Sequence, residues 1–385
     1  METYKTILIL GGGVGGLITA NLLSKKIPNN HRIILVDREP NHLFSPSLLW
    51  LMTDDRKSEN ISKPLARLEK KGIEIIQGEI KHVDIESREI EVNGEKYTAD
   101  YLIIALGAEL TPEVIPGLSE AGYNFYTLEG AEQFRDEWKK FQSGKLVVIT
   151  STPAYKCPAA PYEAAMLLQH DCQKRKLSDN IEVVLYTAEA GPMGVTGTEN
   201  SNAVKQMVEQ KGVHYYPEHV IEKVDPSSKN LVFSNGTEVK YDMLIYVPPH
   251  KAPEIINSSG LLDSTGWVPV DRYTLETSFD NVYAIGDITG IPLKVGPLLP
   301  MAGVFAHNHA KVVAHNIAVK ITGEGTPIQY NGHGECFIEI GGGKAGFGKG
   351  NFYAEPAPMI KMYKPRRYWH WGKIWFEKRW LSKWF

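Results

Sequence analysis

The sequence predicts an α/β protein with two domains built on parallel sheets, followed by an aromatic and basic helical tail. Three observations support this fold class. The chain opens with a buried strand, a glycine turn and an apolar helix, and a similar unit begins with the apolar run KLVVIT at residue 145. The last 27 residues combine nine aromatic side chains with eight Lys or Arg. Strands that alternate with helical segments are typical of βαβ crossovers and parallel sheets.

The first unit carries a dinucleotide-binding pattern. Residues 5–10 predict a strand, the turn GGGVGG follows, and a helix leads to a second strand over 32–37 that ends at Asp37. In the G-x-G-x-x-G spacing, Gly11 permits the tight turn, Gly13 lets a pyrophosphate approach the backbone, and Gly16 lets the helix pack on the strand. Asp37 is expected to accept hydrogen bonds from the adenosine ribose. We therefore predict a Rossmann-like domain here.

The remaining elements divide the chain into four parts. We predict a helix near 62–71, then short strands at 73–80, 81–86 and 88–92 that form a small antiparallel excursion. A Pro-rich segment at 111–118 indicates a domain crossing. The predicted parts are a first segment of the dinucleotide-binding domain (1–111), a second Rossmann-like domain (112–266), the return to the first domain (267–325) and a separate C-terminal region (326–385).

Two further stretches indicate which dinucleotide binds. The run NVYAIGD (281–287) resembles the second FAD fingerprint of flavoproteins with two dinucleotide domains, in which the aspartate, here Asp287 after Gly286, binds the ribityl chain. The run DYLIIALGA (100–108) resembles the strand of the same flavoproteins that ends before the domain crossing, here at Gly107. Together with the first glycine turn, these motifs predict FAD.

The second domain lacks the features that NADH requires. Its first strand is followed by STPAYKCPAAPYEAAMLL, a stretch without glycine. Side chains with a Cβ keep a pyrophosphate away from the backbone, and Pro153 and Pro158 remove amide donors. We therefore predict a degenerate NADH-type domain that has lost NADH binding.

Three cysteines are too few for a structural disulfide framework, and their spacing matches no zinc site, so no metal is predicted. Cys157 lies near the predicted start of a helix, where the helix dipole is expected to lower its pKa. The alternative for Cys157 is a small buried hydrophobe, and the alternative for Cys336 is an interior strand thiol. Cys172, late in a polar helix, is expected to be structural.

Positive charge is concentrated in the last 27 residues, which carry eight Lys or Arg. The chain as a whole nevertheless carries a net charge of −3, and this argues against a nucleic-acid partner. No export signal or membrane-spanning run is visible, so we predict a cytoplasmic protein.

The tail residues at helical spacing predict an apolar stripe on a helix that lies on the cytoplasmic face of a membrane. Docking on the protein's own body or in a homo-oligomer is the alternative. The stripe contains Trp371, Ile374, Trp375, Lys378, Leu381 and Trp384.

These motifs resemble the sulfide:quinone oxidoreductase and flavocytochrome c sulfide dehydrogenase family. The resemblance covers the whole chain and rests most specifically on KCPAAPYEAA and ECFIEIGGGKA. It implies that sulfide attacks a disulfide between Cys157 and Cys336, and that electrons pass through FAD to quinone. It also implies a cofactor contact at Ser45, in NHLFSPSLLWL, and a possible proton acceptor at Glu163. Quinone contacts are expected at Phe347, Trp369 and Trp371.

The chain also departs from the family. Many members carry a third cysteine, sometimes bonded to the flavin, but the corresponding stretch 124–134 has none, which predicts non-covalent FAD. A lysine that commonly precedes the helix near the flavin is replaced by Met301. Three alternatives remain open: a type II NADH:quinone oxidoreductase, a flavoprotein subunit that reduces a cytochrome, and a flavin-binding protein without turnover.

Overall fold

A computed structural model describes residues 4–385. The chain forms two five-stranded parallel sheets, and their strand order shows how it leaves the first domain and returns to it. The first sheet has the order Val282–Ala284, Tyr101–Ile104, Thr6–Leu10, Arg32–Asp37 and Ile73–Gln77. The second sheet has the order Tyr123–Asn124, Met243–Val247, Gly144–Thr150, Ile181–Tyr186 and His214–Tyr216. The predicted α/β fold with two Rossmann-like sheets is thereby confirmed.

Each sheet is covered on both faces, which explains why its strands are nearly continuous apolar runs. Helices Val14–Lys26 and Gly303–Thr322 pack together on one face of the first sheet. Three helices cover one face of the second sheet: Leu128–Trp138, Ala160–Arg175 and Thr198–Gln210. Antiparallel meanders cover the opposite faces. They contain Ile80–Asp84, Glu89–Val92 and Glu95–Thr98 in the first domain, and Ile221–Asp225, Asn230–Phe233 and Glu238–Lys240 in the second.

The C-terminal region forms a third unit. Strands His333–Glu339, Ala345–Asn351 and Met359–Arg366 make an antiparallel sheet that leads directly into helix Arg367–Lys383. The remaining strand pairs are Asn41–Leu43 with Ser62–Pro64, Glu109–Leu110 with His250–Lys251, and Val268–Pro269 with Thr289–Gly290. The remaining α-helices are Leu48–Leu51, Ser58–Ile61, Leu118–Ala121 and Glu254–Asn257. No helix within residues 4–385 has the length and apolar character needed to cross a bilayer.

Two local predictions were wrong. The helix expected near 62–71 is a short strand followed by a 3-10 helix, Leu65–Lys71, which ends at Gly72 in the left-handed conformation. The strand Ile73–Gln77 belongs to the first parallel sheet, and the antiparallel excursion begins only at Ile80. Ile73–Gln77 is an edge strand with partly exposed side chains, so its pattern resembles an antiparallel strand in sequence.

The predicted apolar stripe of the tail was also wrong. On helix Arg367–Lys383, Trp371 and Trp375 are 70% and 62% exposed, whereas Leu381 is buried. The buried side of the helix instead carries Lys373, Glu377 and Trp380. The last turns therefore dock on the protein's own body, as the alternative interpretation held for this part of the helix.

Candidate active site

One cavity of about 520 Å³ gathers most of the residues that the sequence singled out. It lies at the carboxyl ends of the first sheet, where parallel α/β sheets bind their ligands. Seven of the eight predicted cofactor-binding residues line it, and Cys157 lines it from the second domain. The seven are Gly11, Gly13, Asp37, Ser45, Gly107, Gly286 and Asp287.

The eighth residue, Gly16, has a different role in the same turn. A Cβ at Gly16 would stand 1.8 Å from the carbonyl oxygen of Gly11, so only glycine lets the helix approach the strand this closely. Gly11 has a φ of +99°, and a Cβ there would stand 2.5 Å from the carbonyl oxygen of Ala105. The Asp37 carboxylate accepts a hydrogen bond of 2.5 Å from the Gly12 amide, which fixes it beside the turn.

The residues around the cavity fit FAD. Asp287 lines the cavity as a half-buried residue, and its buried Oδ1 atom has no hydrogen-bond partner among residues 4–385. Burial raises the pKa of Asp287, and nearby Lys156 opposes that rise. A buried carboxylate oxygen without a partner is costly, and a ribityl hydroxyl would supply the missing donor. A Cβ built at Gly13 would meet no atom within 4 Å, so the turn leaves room for a phosphate.

Cys157 occupies an unusual backbone position at the edge of this cavity. Its φ is +53°, in the left-handed region that non-glycine residues rarely adopt. Two contacts hold its peptide: its amide donates to the Met301 carbonyl at 2.7 Å, and the Tyr126 hydroxyl donates to its carbonyl at 3.4 Å. The helix Ala160–Arg175 begins three residues later. The surrounding fold therefore determines where this thiol lies.

Cys336 reaches the same region from the C-terminal sheet, where it pairs with Gly348. Cys336 does not line the cavity, but the segments that carry the two cysteines meet: the amide of Glu339, three residues after Cys336, donates to Oε1 of Glu163, six residues after Cys157, at 2.7 Å. Both thiols also respond to the charges of Glu163 and Lys373. Cys172 is fully buried in the core of the second domain.

A network of buried charges accompanies the two thiols. Lys373 on the C-terminal helix donates to Glu163 Oε1 at 3.0 Å, and the Glu339 amide donates to the same oxygen at 2.7 Å. The Glu339 carboxylate pairs with His370 Nδ1 at 2.9 Å. The exposed side-chain fractions are 6% for Lys373 and 2% for Glu163. The network thus joins the helix after Cys157, the strand of Cys336 and the C-terminal helix.

The expectation of a lowered Cys157 pKa was wrong. Burial raises the pKa of Cys157 to about 12, Glu163 raises it further, and Lys373 opposes the rise. Burial also raises the pKa of Cys336 above its ordinary range, and again Lys373 opposes the rise. Burial lowers the pKa of Lys373 itself, but Glu163 and Glu339 outweigh that effect and raise it. Lys373 is therefore the cation that favours a thiolate at this site.

Only two of the three predicted quinone contacts lie together. The rings of Phe347 and Trp369 stack with centroids 4.3 Å apart and an interplanar angle of 18°. Trp371 lies two residues further along the helix, on a different side, and is 70% exposed. The indole Nε1 of Trp369 is buried and has no hydrogen-bond partner among residues 4–385.

Sequence reasoning missed Lys373, Glu339 and His370. Glu339 follows Cys336 by three residues in a stretch that the family resemblance made specific, so its position was a usable signal. Lys373 and His370 lie in an aromatic and basic run that suggested only surface contacts. Their role depends on contacts across more than 200 residues for Lys373 and 31 residues for His370, which no local pattern shows.

Comparison with known proteins identifies the family. The family model described as pyridine nucleotide-disulphide oxidoreductase matches residues 5–310. The chain belongs to this family. The assignment confirms the predicted oxidoreductase with FAD as its cofactor, and it agrees with the two sheets and the cavity described above.

Individual members of the pyridine nucleotide-disulphide oxidoreductase family refine the comparison. The chain is 28% identical to the sulfide-quinone reductase of Aquifex aeolicus, over 98% of this chain and 91% of that protein. The crystal structure of the Aquifex aeolicus sulfide:quinone oxidoreductase matches with a TM-score of 0.89 and 26% identity, over 99% of this chain and 91% of that one. A type II NADH:quinone oxidoreductase of Haemophilus influenzae is 23% identical, over 81% of this chain and 80% of that protein. These findings confirm the resemblance predicted from the motifs.

Proposed function

We propose that this protein oxidises sulfide through the Cys157 and Cys336 pair and passes the electrons by way of non-covalently bound FAD to a quinone. The observation that supports the proposal is that the segments carrying Cys157 and Cys336 meet at one buried charge network, in which Glu163 accepts hydrogen bonds from Lys373 and from the Glu339 amide, and that Cys157 also lines the cavity. Sulfide-quinone reductases of similar length and fold support the choice of substrate.

The proposed chemistry begins with a disulfide between the two cysteines. Hydrosulfide attacks one sulfur, so that the bond between the cysteines breaks and a new sulfur–sulfur bond forms. One cysteine becomes a persulfide, the other becomes a thiolate, and Lys373 stabilises the negative charge that is left. Transfer of the outer persulfide sulfur to a polysulfide chain or another acceptor leaves a second thiolate, and the disulfide re-forms when the two thiolates lose two electrons. Bound FAD would take up these two electrons and pass them to the quinone.

NADH is a poor alternative donor for this structure. In the second domain, the turn after strand Gly144–Thr150 lacks glycine. The side chains of Tyr155, in that turn, and Tyr162, in the helix that follows, are buried there. A pyrophosphate therefore finds neither the open backbone nor the free amides that it needs there.

Anaerobic reduction of the bound flavin tests the proposed donor. We expect sulfide at micromolar concentration to bleach the flavin absorbance near the visible maximum within seconds, whereas NADH leaves it unchanged at a hundredfold higher concentration. The physical reason is that only sulfide can react through the two thiols. Stopped-flow absorbance gives both rates in one instrument. Rapid bleaching by NADH, without sulfide, would instead establish the NADH:quinone oxidoreductase alternative.

We also propose that the exposed side of the C-terminal helix rests on the surface of a membrane, where the quinone is dissolved. Tyr368, Trp371 and Trp375 follow one another at spacings of three and four residues and are 61%, 70% and 62% exposed. Lys378 and Arg379 flank them, and the Arg379 guanidinium lies 5.1 Å from the Trp375 ring centroid. Exposed tryptophans beside basic residues favour the headgroup region of anionic lipids.

Substitution of the two exposed tryptophans tests this membrane contact without disturbing the docked side of the helix. The double variant Trp371→Ser/Trp375→Ser is expected to bind vesicles that contain anionic lipid roughly a hundredfold more weakly, because each ring loses about 1.5 kcal/mol of apolar burial. Co-sedimentation with the vesicles measures the binding. The variant Tyr4→Ser, at a side chain that is 57% exposed elsewhere, serves as the control. Unchanged vesicle binding in the double variant would contradict the proposal.

A further inference from the structure

The two Rossmann-like domains place an acidic residue at equivalent points but use it differently. In the first domain, Asp37 ends the second strand and lies beside the glycine turn and the cavity. In the second domain, Glu189 lies three residues beyond the corresponding strand, Ile181–Tyr186. This is the place at which dinucleotide-binding domains hold a ribose. In this domain the partly exposed Glu189 carboxylate instead accepts hydrogen bonds from side chains of the domain itself.

Three hydroxyl groups converge on the Glu189 carboxylate. The Thr150 hydroxyl donates to Oε2 at 2.9 Å, and the Tyr162 hydroxyl donates to Oε1 at 2.6 Å. The Tyr155 hydroxyl also donates to Oε1. Tyr162 is fully buried and Tyr155 is 5% exposed. The three hydrogen bonds therefore tie Thr150, Tyr155 and Tyr162 to a single side chain.

Of the three donors, Tyr155 belongs to the irregular loop that carries Cys157. The loop, residues 151–159, connects strand Gly144–Thr150 to helix Ala160–Arg175, and Cys157 follows Tyr155 by two residues. Pro153 and Ala154 are exposed, so the loop has little packing on that side. The left-handed φ of Cys157 persists only if neighbouring contacts impose it. The phenol of Tyr155 is an anchor of that kind.

We propose that Glu189 and Tyr155 are positioning residues that hold this loop so that Cys157 meets Cys336. The inference rests on the proposed function, because it concerns the same pair of thiols. The Glu189 carboxylate thus supports the loop that carries Cys157 through the Tyr155 hydroxyl. A held thiol has a higher effective concentration toward its partner than a thiol on a mobile loop.

The thiol–disulfide equilibrium between glutathione and the Cys157–Cys336 pair measures the effective concentration of one thiol toward the other. In this exchange, two protein thiols and one glutathione disulfide give the Cys157–Cys336 disulfide and two glutathione thiols. The protein loses two electrons and two protons, and glutathione gains them. Neither sulfide nor quinone takes part, so the readout does not depend on turnover. Alkylation followed by mass spectrometry of the holoenzyme gives the oxidised fraction at each glutathione ratio.

Two phenylalanine variants form a matched pair for this measurement. Tyr155→Phe and Tyr162→Phe each remove one hydroxyl from Glu189 Oε1, but only Tyr155 lies in the loop. We expect Tyr155→Phe to lower the equilibrium constant for disulfide formation about tenfold, equivalent to about 30 mV. Tyr162→Phe is expected to change it less than twofold. Glu182→Gln, at an exposed residue that pairs with Lys145, is the control expected to match the wild type.

The possible outcomes separate this inference from the proposed function. If the wild type forms the disulfide and Tyr155→Phe has the same equilibrium constant for its formation, the positioning role is overturned, but the proposed Cys157–Cys336 pair is supported. Equal losses in Tyr155→Phe and Tyr162→Phe would also overturn it, because the effect would then come from the domain core. A wild type that forms no such disulfide in oxidised glutathione overturns the proposed function, and this inference with it. Tyr155→Phe retains the aromatic ring, so the test does not depend on the folding of a more disruptive variant.

Discussion

Replacing Cys336 with serine is expected to slow the reduction of bound FAD by sulfide by roughly a thousandfold or more, as is replacing Cys157. Under the proposed mechanism, either substitution removes the disulfide that sulfide attacks, so neither the persulfide nor the partner thiolate can form. Both effects are expected to be large and similar, because residues that act as one unit lose their function together. Stopped-flow absorbance of the flavin under anaerobic conditions measures the rate.

The third cysteine provides a matched control for this experiment. Cys172 is fully buried in the core of the second domain, away from the cavity. Because Cys172→Ser leaves both reactive thiols in place, we expect its rate of flavin reduction to stay within about twofold of the wild type. A rate close to that of the wild type in Cys157→Ser or Cys336→Ser would remove the proposed mechanism.

The largest expected change in stability follows from substitution of Lys373 by methionine. This change leaves the Glu163 carboxylate buried without its cation, although the Glu339 amide still donates to it. Breaking one half of a buried ion pair costs about 3–5 kcal/mol of unfolding free energy. Urea unfolding, followed by far-UV circular dichroism in the wild type and the variant, measures the loss.

The double variant Glu163→Gln/Lys373→Met provides the critical comparison. Glutamine at position 163 keeps an oxygen that can accept from the Glu339 amide, but it carries no charge. We expect the double variant to recover most of the stability that Lys373→Met loses. Lys378→Met, at an exposed position on the same helix, should change stability by less than about 0.5 kcal/mol. A loss below about 1 kcal/mol in Lys373→Met would contradict the view that the buried pair is a strong local interaction.

The cofactor cavity could be predicted from sequence because each motif has a local physical requirement. Gly11 and Gly16 tolerate no Cβ, and Asp287 lies in the 3-10 turn Gly286–Ile288 that follows the short buried strand Val282–Ala284. Such requirements fix residue types at fixed spacings, and these spacings can be read without knowledge of the tertiary structure. The same reasoning leads to the prediction that the loop of residues 151–159, which contains Cys157 and no glycine, does not bind NADH.

The charge network could not be predicted, because it depends on long-range contacts. Glu163 and Lys373 are 210 residues apart in sequence and meet only when the C-terminal helix docks on the second domain. The tail illustrates the same limit. Its aromatic residues supply two helical stripes, and sequence periodicity does not decide which one faces the protein. Glu377 settles the choice in the structure, because it accepts hydrogen bonds from Ser47 and Arg56 on the buried side.

The expected pKa of Cys157 failed for a related reason. A helix terminus lowers a thiol pKa, but burial acts in the opposite direction and depends on the whole fold. In this protein burial is the larger effect, and Lys373 together with the Ala160 amide offsets part of it.

The central claim is that Cys157 and Cys336 form one redox pair beside FAD. Peptide mapping of the oxidised holoenzyme tests this most directly, with free thiols alkylated before proteolysis and the peptides analysed without reduction. The account predicts a single peptide that links Cys157 to Cys336 and disappears after anaerobic addition of sulfide, with one of the two cysteines then carrying an additional sulfur atom. Alkylated Cys157 and Cys336 in the oxidised protein, with no linked peptide, would contradict it.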